Sequence, residues 1–124
     1  MDFPISYPQP TFDGSLVKRL FLKGKLPRVK KGIYGGDLTK NNVTDEHLKP
    51  KSKGGTNAED NIALATKQNN NDRGNEPLEE WLTPEELELY LQQFEGTKLP
   101  KYNFNGDAYA KGIRERVSKE IGEA

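Results

Sequence analysis

Apolar side chains recur at Leu87, Tyr90, Leu91 and Phe94, the i, i+3, i+4, i+7 spacing that buries one face of a helix. Thr83-Pro84-Glu85-Glu86 ahead of them is a helix start: a capping threonine, proline in the first turn and glutamate three residues after the cap. With Gly96 as the stop, the pattern predicts a helix over residues 84–95. Tyr109, Ile113, Val117 and Ile121 repeat every four residues and predict a terminal amphipathic helix at about 107–121. Leu16, Val17, Leu20 and Phe21 have near-helical spacing, which fits a short helix or an irregular packed segment over 15–23.

The middle of the chain carries shorter apolar runs. Val43 to Leu48 reads as a short strand. Pro50 and the polar stretch from Ser52 to Asp60 then force a long loop. Asn61-Ile62-Ala63-Leu64-Ala65 is a second short run; Thr66 can cap a helix over 67–73 and Gly74-Asn75 can stop it. Pro77 opens one or two helical turns that reach Trp81 and Leu82. Three prolines within residues 1–13 predict an extended arm, Gly35-Gly36 a tight turn, and residues 97–106 a linker. The chain thus divides into an N-terminal arm and basic segment (1–32), a core (33–82) and a C-terminal helical region packing on it (83–124).

Composition sharpens this outline. At 124 residues with 32% hydrophobic content, the chain holds one domain with a small core. It has no cysteine, which excludes disulfides, cysteine-ligated zinc, iron–sulfur clusters and thiol catalysis. No apolar run approaches the ~18 residues of a membrane span, and no signal-like stretch follows the N-terminus, so the chain reads as cytoplasmic. The formal net charge is zero, but it is a sum of unequal blocks. Residues 14–53 carry +8 and residues 54–97 carry −8. Such asymmetry speaks to partners, not to fold.

The two blocks meet around Thr44 to Asn75, which also holds the candidate chemistry. An acid, Glu46, precedes the one histidine, His47. A neutral imidazole suits a general base near pH 7. One carboxylate plus one amide oxygen makes a hard, open cation site of the kind Mg²⁺ or Mn²⁺ takes, and Glu46 and Asn70 supply these if strand end and helix face each other. Phosphodiester hydrolysis needs both functions: a base for water and charge stabilisation at the phosphate.

This stretch resembles the HNH family of ββα-metal nucleases. The matching features are Glu46-His47, Pro50, the glycine turn ending at Gly55, Asn61 before the second apolar run, Asn70, and Arg73-Gly74. They cover about a quarter of the chain, and small phage-encoded HNH proteins have a similar size. The resemblance implies an α+β fold with a ββα-metal core built on a short two-stranded hairpin. It implies His47 as the general base, Glu46 and Asn70 as ligands of one divalent metal ion, and Asn61 as the residue that fixes the loop and the histidine. Arg73 would contact phosphate, and the products would carry 5′-phosphates. One small core reaching one phosphate suggests nicking by a monomer or weak homodimer.

Three features depart from the family pattern. The zinc-binding cysteine pairs of many members are missing, so no structural zinc is expected and the scaffold must come from Tyr34, Trp81 and the 84–95 helix. The acid is Glu where Asp is commoner, which moves the carboxylate by roughly 1.5 Å; Asp45 is a fallback ligand, but alternation points it to the opposite face of a strand. Asn69, Asn70 and Asn71 leave a one-residue ambiguity that counting forward nine from Asn61 resolves to Asn70. The DNA path is expected to cross Lys18, Arg19, Lys23, Lys25, Arg28, Lys30 and Lys31 toward the metal, with Lys53 a further phosphate contact. The rival readings are a nucleic-acid-binding module on a degenerate HNH scaffold and, more weakly, an RNA-directed nuclease.

Overall fold

The computed structural model describes residues 13–122, so most of the expected N-terminal arm lies outside the described residues. The chain is α+β, with four helices and two small antiparallel two-stranded sheets among the described residues. No described helix is long and apolar enough to cross a membrane.

Helix α1 (Leu16–Leu22) is capped by Ser15, whose side chain accepts from the Lys18 N–H. Strands β1 (Val43–His47) and β2 (Ile62–Thr66) pair antiparallel, with Val43 opposite Thr66 and His47 opposite Ile62. Thr66 ends β2 and caps α2 (Lys67–Arg73), and Gly74 stops it, as the sequence predicts. Helix α3 (Pro84–Gln92) has the full capping box on Thr83 and Glu86. It ends three residues before the predicted bound, with Gln93, still at helical dihedrals, as its C-cap. The Gln93 side chain clips the backbone of Lys30 and Lys31.

The expected linker at 97–106 contains a second hairpin, β3 (Lys98–Leu99) with β4 (Phe104–Asn105), turned by Asn103 at φ 55°. Helix α4 (Gly106–Glu120) follows, capped by Asn105. Its first residue must be glycine, since a Cβ there would lie 2.0 Å from the Phe94 carbonyl oxygen.

Strand β2 is the centre of the core: all five of its residues are buried. A two-stranded sheet leaves the outer edge of such a strand without ladder partners, and a buried unpaired backbone group is costly. Here side chains supply them. The Leu64 N–H donates to the Tyr90 hydroxyl at 2.9 Å, Tyr90 and Tyr109 share a bond of 2.8 Å, and Tyr109 donates to the Ile62 carbonyl at 2.7 Å. The Ile33 N–H satisfies the Leu64 carbonyl at 2.8 Å. Tyr90, Phe94, Phe104 and Tyr109 form one aromatic cluster around this chain of hydroxyls. Burial pushes both phenols well above their ordinary range. Tyr34 and Trp81, two of the residues expected to build the scaffold, pack against each other edge to face at 5.8 Å. Phe104 and Tyr109, which the expected scaffold set does not name, join Tyr90 and Phe94 of the predicted 84–95 helix in the aromatic cluster.

Candidate functional site

β1 alternates, and its two faces meet different helices. Thr44 and Glu46 face α2. Asn70 donates its amide to the Thr44 hydroxyl at 3.0 Å and to the Asp45 carbonyl at 3.1 Å. Asp45 faces α1: its carboxylate accepts from the Ser15 N–H at 2.9 Å and the Ser15 hydroxyl at 2.7 Å. His47 shares the Asp45 side of the strand, and both line an open groove of about 660 Å³. Ser15, Arg19, Lys51, Asn57 and Glu59 line it with them.

His47 is half-buried at the end of β1. Its Nε2 lies 2.7 Å from the Asn57 Oδ1. An amide oxygen accepts, so this bond fixes the proton on Nε2 and leaves the lone pair on Nδ1. Asn57 was not legible as a site residue; only its place in the polar loop after His47 hinted at it.

Asn61 is 1% exposed and holds the loop from within. Its Oδ1 accepts from the Lys49 N–H at 2.8 Å, and its amide donates to the carbonyls of Lys49 at 3.1 Å and Thr56 at 2.8 Å. Three bonds from one buried amide tie the Lys49 and Thr56 ends of the loop together. Gly55 completes the fold-back, since a Cβ there would stand 1.7 Å from the Lys49 carbonyl oxygen.

The other expected site residues are placed differently. Glu46 is 4% exposed, on the face of β1 opposite His47. Its Oε2 accepts from the Tyr34 hydroxyl at 2.5 Å and from the Arg73 guanidinium at 3.1 Å. Arg73, expected to touch phosphate, is 2% exposed and spends its donors internally. Besides Glu46 they reach Tyr34 and the carbonyls of His47, Leu48 and Glu76. The reason is geometric: adjacent strand residues point apart, and the last turn of α2 lies over the Glu46 side. Burial, then the Glu46 carboxylate, pushes the Tyr34 phenol far above its usual range.

This arrangement bears on the expected metal. A hard divalent cation takes oxygen ligands and keeps waters. The Glu46 oxygen faces a guanidinium in a closed interior, and Asn70 turns its amide nitrogen toward β1. No group of three or more His, Asp or Glu side chains gathers to hold a metal among the described residues. As arranged, the pair Glu46 and Asn70 does not fit a cation shared with His47.

The basic block also divides. Lys31 pairs with exposed Asp37, and its bond holds that carboxyl below the usual range. Arg28 donates to carbonyls of Gln93 and Glu95, and Lys23 and Lys25 lie 5.6 and 5.9 Å from the Tyr102 ring. Lys30 has its backbone on Gln93, and Lys53 reaches the Asn75 carbonyl at 3.4 Å. None of these lines the groove; Arg19 and Lys51 do. Comparison with protein-family models, with curated proteins and with solved structures finds no match for this chain.

Proposed function

We propose that this chain is an HNH-type endonuclease that hydrolyses DNA phosphodiester bonds, nicking one strand at each encounter. The observation that supports the reading best is the setting of His47. The one histidine of the chain ends β1, in an open groove, with its tautomer fixed by Asn57 and its loop pinned by Asn61. The order strand, pinned loop, strand, helix around it is the order that the resemblance implies. In this reading Nδ1 of His47 takes the proton of the attacking water, and Asn61 and Asn57 keep the imidazole aimed. Basic side chains of the groove offset the charge gathering on the phosphate.

The family's divalent ion is part of the proposal only through its assay, because the arranged side chains do not offer the expected ligand pair. Cleavage of labelled duplex DNA is measured with Mg²⁺, with Mn²⁺ and with EDTA. Cleavage abolished by EDTA and by His47→Ala supports a metal-dependent nuclease. Cleavage that persists in EDTA removes the metal, and inertness under every condition removes the enzyme.

A second reading has its own support. The consumption of Glu46 by Arg73 favours a binding module on an HNH-like scaffold. DNA binding without cleavage under any metal would select it.

A further inference from the structure

We propose that Arg19 and Lys51 form the phosphate-binding pair of the His47 groove, so that the DNA backbone enters between α1 and the β1–β2 loop. The proposal rests on the nuclease reading and assigns its substrate contacts. It keeps Arg19 from the expected DNA path, adds Lys51, and replaces Arg73, Lys30, Lys31 and Lys53.

The groove has two walls, and each carries one cation on a fixed mount. Arg19 stands one turn into α1; its N–H donates to the Ser15 carbonyl at 3.0 Å. Ser15 in turn is tied to Asp45 on β1 by its backbone and its hydroxyl. The helix that carries Arg19 is thereby fastened to the strand that carries His47. Lys51 opens a single 3-10 turn right after Pro50. The Lys53 and Gly55 N–H groups both close on the Pro50 carbonyl at 2.9 Å, and Asn61 holds the neighbouring Lys49. Both side chains are exposed, and no ion pair among the described residues engages either one. A bound phosphate between them lies beside His47, the imidazole that the nuclease reading uses as general base.

The same groove holds Asp45 and Glu59, so its sign needs a direct argument. Asp45 has its charge met by two donors from Ser15. Glu59 is exposed and has no such donors among the described residues. An anion site therefore improves when Glu59 loses its charge, whereas a cation site worsens. Glu59→Gln separates the two.

The test measures binding of a short DNA duplex by fluorescence anisotropy across a KCl series, on the His47→Ala background so that nothing is cut. Arg19→Gln and Lys51→Ala are each expected to weaken binding on the order of tenfold at low salt. Each should also flatten the log–log salt slope by about 0.9. Arg19→Lys should keep the slope, which excludes a folding defect as the cause, and Glu59→Gln should tighten binding. Lys111→Ala on α4 serves as the charge-count control. The proposal is overturned if Arg19→Gln and Lys51→Ala bind as the parent does while Lys30→Ala/Lys31→Ala is weakened. Weaker binding by Glu59→Gln, or no binding of DNA at all, also overturns it. Nicking by the otherwise wild-type chain, run in parallel, reports separately on the nuclease reading: activity that His47→Ala abolishes keeps that reading even where the contacts fail.

Discussion

Removing the Arg73 guanidinium should unfasten the helix α2 side of the site, and its cost can be worked from the contacts. Arg73→Met keeps an apolar stem of similar length but leaves Glu46, 4% exposed, as a buried carboxylate without its cation. Breaking a buried pair from one side typically costs about 3–5 kcal/mol, because the remaining charge is uncompensated. The carbonyls of His47, Leu48 and Glu76 lose donors as well, partly offset by entering water. A total near 4 kcal/mol is a large share of the ~5–15 kcal/mol that holds a domain folded. It should lower Tm by on the order of 15 °C in a chain of this size.

Glu46→Gln should cost less, about 1–3 kcal/mol, since Arg73 keeps its carbonyl and hydroxyl acceptors. The double variant Glu46→Gln/Arg73→Met should be more stable than Arg73→Met alone, so the coupling in the cycle should exceed the cost of Glu46→Gln by itself. Urea unfolding followed by tryptophan fluorescence reads all four proteins, because Trp81 touches Tyr34 at the edge of this cluster. The same melts are run with Mg²⁺ and Mn²⁺. A loss below 1 kcal/mol in Arg73→Met refutes the reasoning. So does a metal-dependent stabilisation of wild type that Glu46→Gln abolishes, since Glu46 would then be serving a cation and not the guanidinium.

Further outcomes follow from other contacts. Tyr34, Tyr90 and Tyr109 keep their protons in the fold well beyond the point, near pH 10, at which an unfolded chain releases them. Above that pH the unfolded state binds fewer protons, so stability is intact below it and falls as pH rises, by roughly 4 kcal/mol per pH unit for three phenols. An alkaline titration should show their phenolate absorbance rising together with loss of helical circular dichroism; phenolate signal without unfolding from all three would contradict it. Asn57→Ala should release the His47 tautomer, seen by ¹⁵N NMR as a shift from the Nε2–H form toward a mixture, while the melting temperature stays within about 2 °C. An unchanged tautomer would show that Asn57 does not set it. Gly55→Ala forces a Cβ against the Lys49 carbonyl and should cost at least ~2 kcal/mol. Gly54→Ala meets open space and pays only for its φ of 91°, about 1–2 kcal/mol; equal costs in a denaturant series would refute the close approach.

The residues that sequence made legible are those whose signals are local. The capping box of α3, the Thr66 cap and Gly74 stop of α2 and the four-residue repeat of α4 are written in neighbouring positions, and each helix forms there. The tie that Asn61 makes across its loop comes from the family resemblance and not from a local signal; its burial and its bonds to Lys49 and Thr56 are visible only in the fold. What sequence hid is long-range or depends on which way a strand faces. Glu46 and His47 look like one site as neighbours in the chain, yet pleating puts them on opposite faces of β1. Arg73 lies 27 positions from Glu46, and nothing local announces that it turns inward. The β3–β4 hairpin is too short to leave a period, and the Gln93 clip on Lys30 and Lys31 joins positions about 60 apart. The basic block shows the same limit: its charge is contiguous in sequence, but folding sends Arg28 and Lys31 to partners away from the groove and leaves Arg19 beside His47.

The central claim, that His47 is the base of a DNA-cutting site, is tested most directly by relaxation of supercoiled plasmid. Wild type is predicted to convert it to the nicked form with Mg²⁺ or Mn²⁺, and His47→Ala to do so more slowly by about 10²–10⁴ while binding the plasmid equally well. Wild type and His47→Ala that are equally active, or equally inert across metals and DNA forms, would contradict the account.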